Sequence, residues 1–375
     1  MEVKDKLDIL AAASRFDLAC ACKLADEPGR TRAADGRWVY PAVLPGGRKV
    51  MLLKVLQTNA CANDCTYCPF NRTRHITRCS LGPEELARAF MGLVQADRVS
   101  GLFLSSGVQD GPDTTMERML NTVEVIRRRW QFKGYIHLKV IPGASKAAIE
   151  QAVRLATRVS VNIEAPTEQH LARLTSRKRF YQDIICAMEA IAELRQSLNP
   201  RCQQTTQFVV GAAGETDQQI VTATARLYER FRMERVYFSA YQDPDQDGYQ
   251  GLELFSGLQG TARTDSGFLR EHRLYQVDFL LRRYGFTRQE IPFDKDGNLP
   301  LDEDPKTRWA RLHPEFFPVQ VNKAQRWQLL RVPGIGPKGA DRIMAARKSG
   351  AITTIEDLAR LGIRARVAAP YVSLD

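Results

Sequence analysis

Short apolar runs alternate with amphipathic stretches along most of the 375-residue chain. The runs Lys49–Val55, Gly101–Leu104, Tyr135–Ile141, Val159–Ile163, Thr206–Val210 and Arg235–Phe238 are rich in Val, Ile, Leu, Phe and Tyr, and they predict strands. Each is followed by apolar positions at helical spacing: Leu86, Phe90 and Leu93 within Pro83–Asp97, and Met119, Val123 and Ile126 within Thr114–Trp130. Ala144–Ala156, Tyr181–Leu198, Asp217–Arg232 and Leu269–Tyr284 continue the series. Six strands, each followed by a helix, predict parallel βαβ units. Right-handed crossovers wind such units into an arc or barrel, with chemistry at the C-terminal strand ends.

The flanks read differently. Leu7, Ile9, Leu10, Ala13, Phe16 and Leu18 predict a helix ahead of the core, followed by a turn region broken by Gly29, Gly36, Gly46 and Gly47. Gln242–Gly267 is polar and predicts a long loop over the barrel mouth. The expected division is an N-terminal helical extension at 1–45, a barrel at 46–290, a Pro- and Asp-rich connector at 291–320 and a separate module at 321–375.

Lys and Arg exceed Asp and Glu by 54 to 43, a formal charge of +11, which weakly favours a polyanionic partner. No secretory signal is evident at the start, and no stretch approaches the ~18 apolar residues of a membrane span. A cytoplasmic protein is expected, in which eight cysteines serve as metal ligands or free thiols rather than disulfides.

Two segments carry chemistry. The first is Cys61-Ala-Asn-Asp-Cys65-Thr-Tyr-Cys68, directly after the first of the six strands. Three thiolates on one loop can converge on one metal centre, and a cubane iron–sulfur cluster held by three cysteines keeps one iron open. A closed zinc site wants a fourth ligand, for which His75 is available, so a metal-stabilised non-enzyme stays open at this point. Cys20 and Cys22 are too sparse for a second cluster, Cys186 reads as a core residue of a helix, Cys202 belongs to no cluster by spacing, and Cys79 is a candidate hydrogen donor.

The second is Val332-Pro333-Gly334-Ile335-Gly336-Pro337-Lys338-Gly339. Glycines permit a tight hairpin between helices, Ile335 tucks between them, and Pro337 suits the first turn of the next helix. Exposed amides at a helix start make an anion site, to which Lys338 adds charge. Thr354 and Asp357 predict a capped further helix. The runs Arg127–Arg129 and Arg282–Arg283 read as solvated helix faces.

The cysteine spacing, with aromatic Tyr67 before the third cysteine and the strand context, resembles the radical S-adenosylmethionine (SAM) superfamily. The resemblance implies a partial (β/α)6 TIM-like barrel, a [4Fe–4S] cluster on Cys61, Cys65 and Cys68, and SAM on the open iron. It implies cofactor contacts from Tyr67, from Ser105-Ser106-Gly107 (without the acidic residue usual in the family), from Asn162 and Glu164, and from Gly211 and Gly214. Glu215 also reads as a helix cap. A one-electron donor such as flavodoxin or ferredoxin is implied. The tail resembles the helix-hairpin-helix family, a small all-α module gripping DNA phosphates, here through Gly334, Ile335, Gly336 and Lys338. Asp304-Pro305-Lys306, Trp309-Ala310, His313 and Phe317-Pro318 extend the likeness to radical enzymes named for DNA modification or repair. An enzyme whose tail docks a protein, with a small-molecule or protein substrate, is the competing reading.

Overall fold

The computed structural model describes residues 1–14, 31–32, 38–43, 49–243 and 265–375. Phe16, Leu18, Cys20, Cys22, Gly29, Gly36, Gly46, Gly47 and most of the predicted mouth loop lie outside the described residues. Two compact units result, one of residues 1–215 and 226–263, the other of 216–225 and 264–375.

In the first unit a sheet runs in sequence order: β1 (Thr31–Arg32), β2 (Trp38–Val43), β3 (Lys49–Leu56), β4 (Gly101–Ser105), β5 (Tyr135–Lys139), β6 (Arg158–Ser160), β7 (Gln203–Val210) and β8 (Arg235–Ala240). The six strands β3 to β8 are parallel and form a curled half-barrel. β1 and β2 extend the sheet antiparallel beyond β3, an addition the apolar pattern did not announce. Helix α1 (Val3–Ala13) precedes them. Helices α2 (Pro83–Gln95), α3 (Pro112–Glu124), α4 (Lys146–Leu155), α5 (Glu168–Leu174), α6 (Cys186–Leu198) and α7 (Asp217–Phe231) fall between or after the strands. Leu86, Phe90, Met116, Met119, Ile149 and Ile191 from α2, α3, α4 and α6 are buried. Complete burial of such a side chain contributes about 1.5–3 kcal/mol.

Five residues of π-helix, Val125–Arg129, finish α3, and the wider turn brings Arg127 inward. Its guanidinium donates to the carbonyls of Leu155, Phe132 and Gly134, so this arginine ties loops together rather than facing solvent. Arg282 likewise pairs with buried Asp278.

The second unit includes α8 (Asp265–Arg283), α9 (Pro305–Leu312), α10 (Arg326–Arg331), α11 (Pro337–Ala346), α12 (Ile355–Arg360) and α13 (Ala365–Ala368). The C-terminal module is helical, apart from a two-residue parallel pairing of β9 (Val319–Gln320) with β10 (Val372–Ser373). Its core gathers Leu329, Leu330, Val332, Ile335, Ile343, Leu358 and Ile363.

Candidate functional site

The cysteine loop, residues 57–82, leaves the C-terminal end of β3 and is pinned before it reaches its thiols. Asn59 donates from its amide to the Thr77 carbonyl at 2.8 Å and accepts from the Cys79 N–H at 2.8 Å. Thr58 Oγ1 donates to the Cys79 carbonyl at 3.0 Å. Arg78 is the hub: Nη1 donates to the carbonyls of Asn59 (2.6 Å) and Phe70 (2.9 Å), Nη2 to those of Asn71 (2.8 Å) and Arg74 (3.0 Å). Asp64 fixes the middle of the loop by accepting from Thr175 Oγ1 (2.6 Å) and from the Ser176 N–H (3.2 Å). Cys79 is therefore held by its backbone, and burial pushes its thiol up to about 11 against the opposing pull of Lys6.

The segment after β4 abuts this loop. The Val108 N–H points at Cys61 Sγ, 3.4 Å away, and the Val108 carbonyl accepts from the Ala62 N–H at 2.8 Å. Gly107 is required by proximity: a Cβ there would stand 2.3 Å from the Ala60 carbonyl oxygen. Ser105 is buried, while Ser106 turns its hydroxyl to the Gly107 carbonyl at 2.7 Å.

Beyond β6 the chain carries Asn162 and Glu164, both buried, with the Asn162 amide 3.4 Å from a Glu164 carboxylate oxygen. Glu164 has a φ of +63°, unusual for a residue with a side chain. Backbone bonds to β7 hold it there: its N–H donates to the Gln207 carbonyl at 3.0 Å, and its carbonyl accepts from the Val209 N–H at 2.8 Å. The other oxygen of its carboxylate accepts from Lys178 Nζ at 3.3 Å, which also donates to Tyr67 Oη at 3.1 Å. Burial works against the Lys178 charge, but Cys65, Glu164 and Cys68 beside it outweigh that and raise its pKa. The Cys68 thiol is pushed up to about 12 by burial and by the charges of Cys65 and Cys61. Burial, with Cys65, Glu164 and Cys68 beside it, raises the Tyr67 phenol. The three thiols, Tyr67, Glu164 and Lys178 thus form one electrostatic neighbourhood.

Gly211 and Gly214 form an exposed turn after β7. Glu215 folds back on it, accepting from the N–H groups of Gly211 and Ala213, so this buried carboxylate shapes the glycine turn. Arg173 closes the turn by donating to the Ala213 carbonyl at 2.7 Å.

Among the described residues, no three His, Cys, Asp or Glu side chains gather as around a single ion. A single zinc draws its sulfurs to about 2.3 Å from one centre. A cubane instead places each thiolate on a separate iron. The donor set fits that larger group. As thiolates the three sulfurs of the pinned loop would repel one another, an N–H points at Cys61, and the Lys178 ammonium would offset their negative charge. Nearby, Thr205 Oγ1 and Gln207 Oε1 on β7 are buried without a hydrogen-bond partner, so acceptor capacity remains for a bound molecule.

In the second unit, Gly334 has a φ of +83°, and a Cβ on it would lie 2.8 Å from the Arg364 carbonyl oxygen. Ile335 is buried, Pro337 opens α11, and Lys338 is exposed. Among the described residues the N–H groups of Gly334 and Gly336 have no protein acceptor. The Arg364 N–H donates to the Gly334 carbonyl at 3.4 Å, so the Leu361–Ile363 turn backs the hairpin. Thr354 and Asp357 exchange the capping bonds expected of them.

The strand-loop site and the hairpin each match a family model. Residues 55–227 match the radical SAM superfamily, and residues 316–362 match the helix-hairpin-helix motif. Residues 55–227 thus form a radical SAM domain, and a helix-hairpin-helix motif follows it at 316–362. Solved structures similar to it include the FeFe-hydrogenase maturase HydG from Carboxydothermus hydrogenoformans, at 14% identity and a TM-score of 0.45, covering 61% of this chain and 51% of that one. Methylornithine synthase (PylB) is similar at 14% identity and a TM-score of 0.39, covering 51% of this chain and 53% of that one. Another, anSMEcpe with bound AdoMet, gives 16% identity and a TM-score of 0.39, covering 61% and 62%. The chain spans about half the length of the HydG structures it matches. No curated protein matches it by sequence.

Cys186, expected in the core, is exposed at the start of α6, and sequence reasoning missed Arg78, Asn59, Asp64 and Lys178. Arg78 and Lys178 stand in basic runs, Arg72–Arg78 and Arg177-Lys178-Arg179, that look like solvated charge. No helix of the described residues is long and apolar enough to cross a membrane.

Proposed function

We propose that this chain is a radical SAM enzyme that uses a [4Fe–4S] cluster and SAM and acts on nucleic acid, DNA foremost, in a modification or repair reaction, and that it works in the cytoplasm with flavodoxin or ferredoxin as its electron donor. When bound, the cluster and SAM supply a 5′-deoxyadenosyl radical that abstracts a hydrogen atom from the substrate. Cys61, Cys65 and Cys68 hold the cluster. Ser105, Ser106 and Gly107 line the methionyl side, and Tyr67 backs the loop. Asn162 and Glu164 accept hydrogen bonds from the cofactor's polar groups, Lys178 holds the Glu164 carboxylate by a hydrogen bond, and Gly211 and Gly214 bring backbone close to the adenosine. Cys79 is an available thiol for returning a hydrogen atom.

The observation that carries the nucleic-acid reading is the hairpin of the second unit. It offers two backbone N–H groups without protein acceptors, a helix start and the exposed Lys338, a set that fits a phosphate oxygen. The test is anaerobic turnover of reconstituted protein with and without duplex DNA, following 5′-deoxyadenosine and altered nucleosides by mass spectrometry. DNA-dependent turnover, with duplex binding that weakens steeply with salt and is lost when residues 321–375 are removed, is expected. Turnover indifferent to nucleic acid, with no salt-dependent binding, would favour protein docking by the tail. One zinc and no iron in anaerobically prepared protein would remove the cluster itself.

A further inference from the structure

Lys306 belongs to Asp304-Pro305-Lys306, a segment upstream of the residues that match the helix-hairpin-helix model. Asp304 caps α9, accepting from the Lys306 and Thr307 N–H groups at 3.2 and 3.1 Å, and this sets the direction in which Lys306 leaves the helix. The Lys306 side chain is buried, its Nζ 4.7 Å from the centre of the Tyr284 ring. That Nζ donates to the Ile335 carbonyl at 2.5 Å, in the middle of the hairpin. Tyr284 also lies close to the hairpin, since a Cβ on Gly336 would stand 3.2 Å from its hydroxyl.

A peptide unit is planar, and in the trans form its C=O and N–H point in opposite directions. The Ile335–Gly336 peptide is trans, the only cis bond being Phe317–Pro318 among the described residues. Drawing the Ile335 carbonyl onto Lys306 therefore turns the Gly336 N–H away from the buried lysine. That N–H is one of the two without a protein acceptor. We infer that Lys306 is a positioning residue for phosphate binding: it locks the hairpin peptide with its donor presented and sets a positive charge behind it. The inference rests on the nucleic-acid reading above.

The charged and titratable groups around Lys306 are few. Asp304 lies on its own helix cap, Tyr284 ends the α8 segment, and Arg331 comes from α10, already paired with Glu290 at 2.7 Å and stacked 3.8 Å over Phe286. His313, one turn pair further along α9, is stacked on Trp309. Burial lowers the Lys306 pKa to about 7, against the opposing pull of Asp304. A phosphate bound across the hairpin favours the protonated amine, so affinity is highest below pH 7 and declines as pH rises through it.

The experiment measures binding of the full-length protein to a fluorescein-labelled DNA duplex at fixed salt between pH 6 and 8.5, by anisotropy. Wild type, Lys306→Met and Lys306→Arg are compared, with circular dichroism as the check on folding. Lys306→Met is expected to weaken binding about tenfold at pH 6, the value of one charged hydrogen bond, and to lose the pH step. Lys306→Arg keeps a donor and a charge that does not titrate, so it is expected to bind at high pH as well as or better than wild type, again without the step. If Lys306→Met fails to fold, the arginine variant decides alone. Wild-type binding with unchanged affinity in folded Lys306→Met, or with the pH step intact in folded Lys306→Arg, overturns the positioning role and leaves the nucleic-acid reading standing. Absence of salt-dependent binding by the wild type overturns both.

Discussion

Replacing Arg78 with Met tests whether the cysteine loop is prefolded by its backbone. The guanidinium spans four carbonyls, two from each terminal nitrogen, at 2.6–3.0 Å. A hydrogen bond from a charged donor contributes about 1.5–3 kcal/mol net, less where water can replace it. Arg78 is half-buried, so about 1 kcal/mol per bond is the fitting discount, and a loss of about 3 kcal/mol is expected after non-additivity. That loss falls on the loop and not on the barrel, whose strands and helices make none of these bonds. The free energy reappears as the cost of gathering the three sulfurs, and 3 kcal/mol corresponds to about a hundredfold weaker hold on the cluster. The assay is iron and sulfide content after anaerobic reconstitution and gel filtration, together with 5′-deoxyadenosine formation. Methionine at 78 should lose most of its iron, lysine should retain an intermediate amount, and the apo-protein melting temperature should barely move. Full iron and wild-type turnover in Arg78→Met would refute the idea that these four bonds organise the loop.

Two further outcomes are expected. Gly107→Ala places a methyl group 2.3 Å from the Ala60 carbonyl oxygen, a backbone atom, so the loop must shift at a cost of about 1–3 kcal/mol. SAM cleavage should fall severely while circular dichroism stays unchanged, and wild-type cleavage would show that the contact is not needed. Glu290 is held below the ordinary carboxylate range: burial raises it, but hydrogen bonds from Thr287 and Arg331 more than compensate. Its contribution to stability is complete above the unfolded carboxylate pKa and is lost as pH falls through the depressed folded value. In acid melts, wild type should lose its advantage over Glu290→Gln below about pH 4, and parallel curves down to pH 2 would contradict this.

The β/α alternation was legible because periods of two and 3.6 are local properties of a chain. The cysteine loop and the hairpin were legible because their spacing and turn residues carry meaning within ten positions. What escaped acts at longer range on backbone atoms. Arg78 binds carbonyls 4 to 19 residues away, and Lys178 meets Tyr67 across 111 residues. No periodicity distinguishes such cations from solvated neighbours. Arg127 was misread for the same reason, since only the π-helical turn directs it inward. The antiparallel β1 and β2 went unseen because glycine and arginine in their surroundings resemble a loop, and in Asp304-Pro305-Lys306 nothing local reveals that the lysine reaches a hairpin 29 residues on.

Glu164 has a last consequence. Glycine would sit at its φ without penalty, whereas a residue with a side chain pays on the order of 1 kcal/mol to stay there. Main-chain bonds on both sides clamp its backbone, and hydrogen bonds from Asn162 and Lys178 hold its carboxylate. A visiting molecule cannot swing it aside at little cost. If the proposed cofactor role holds, recognition at this spot is one-sided: the guest must fit a carboxylate already held in place.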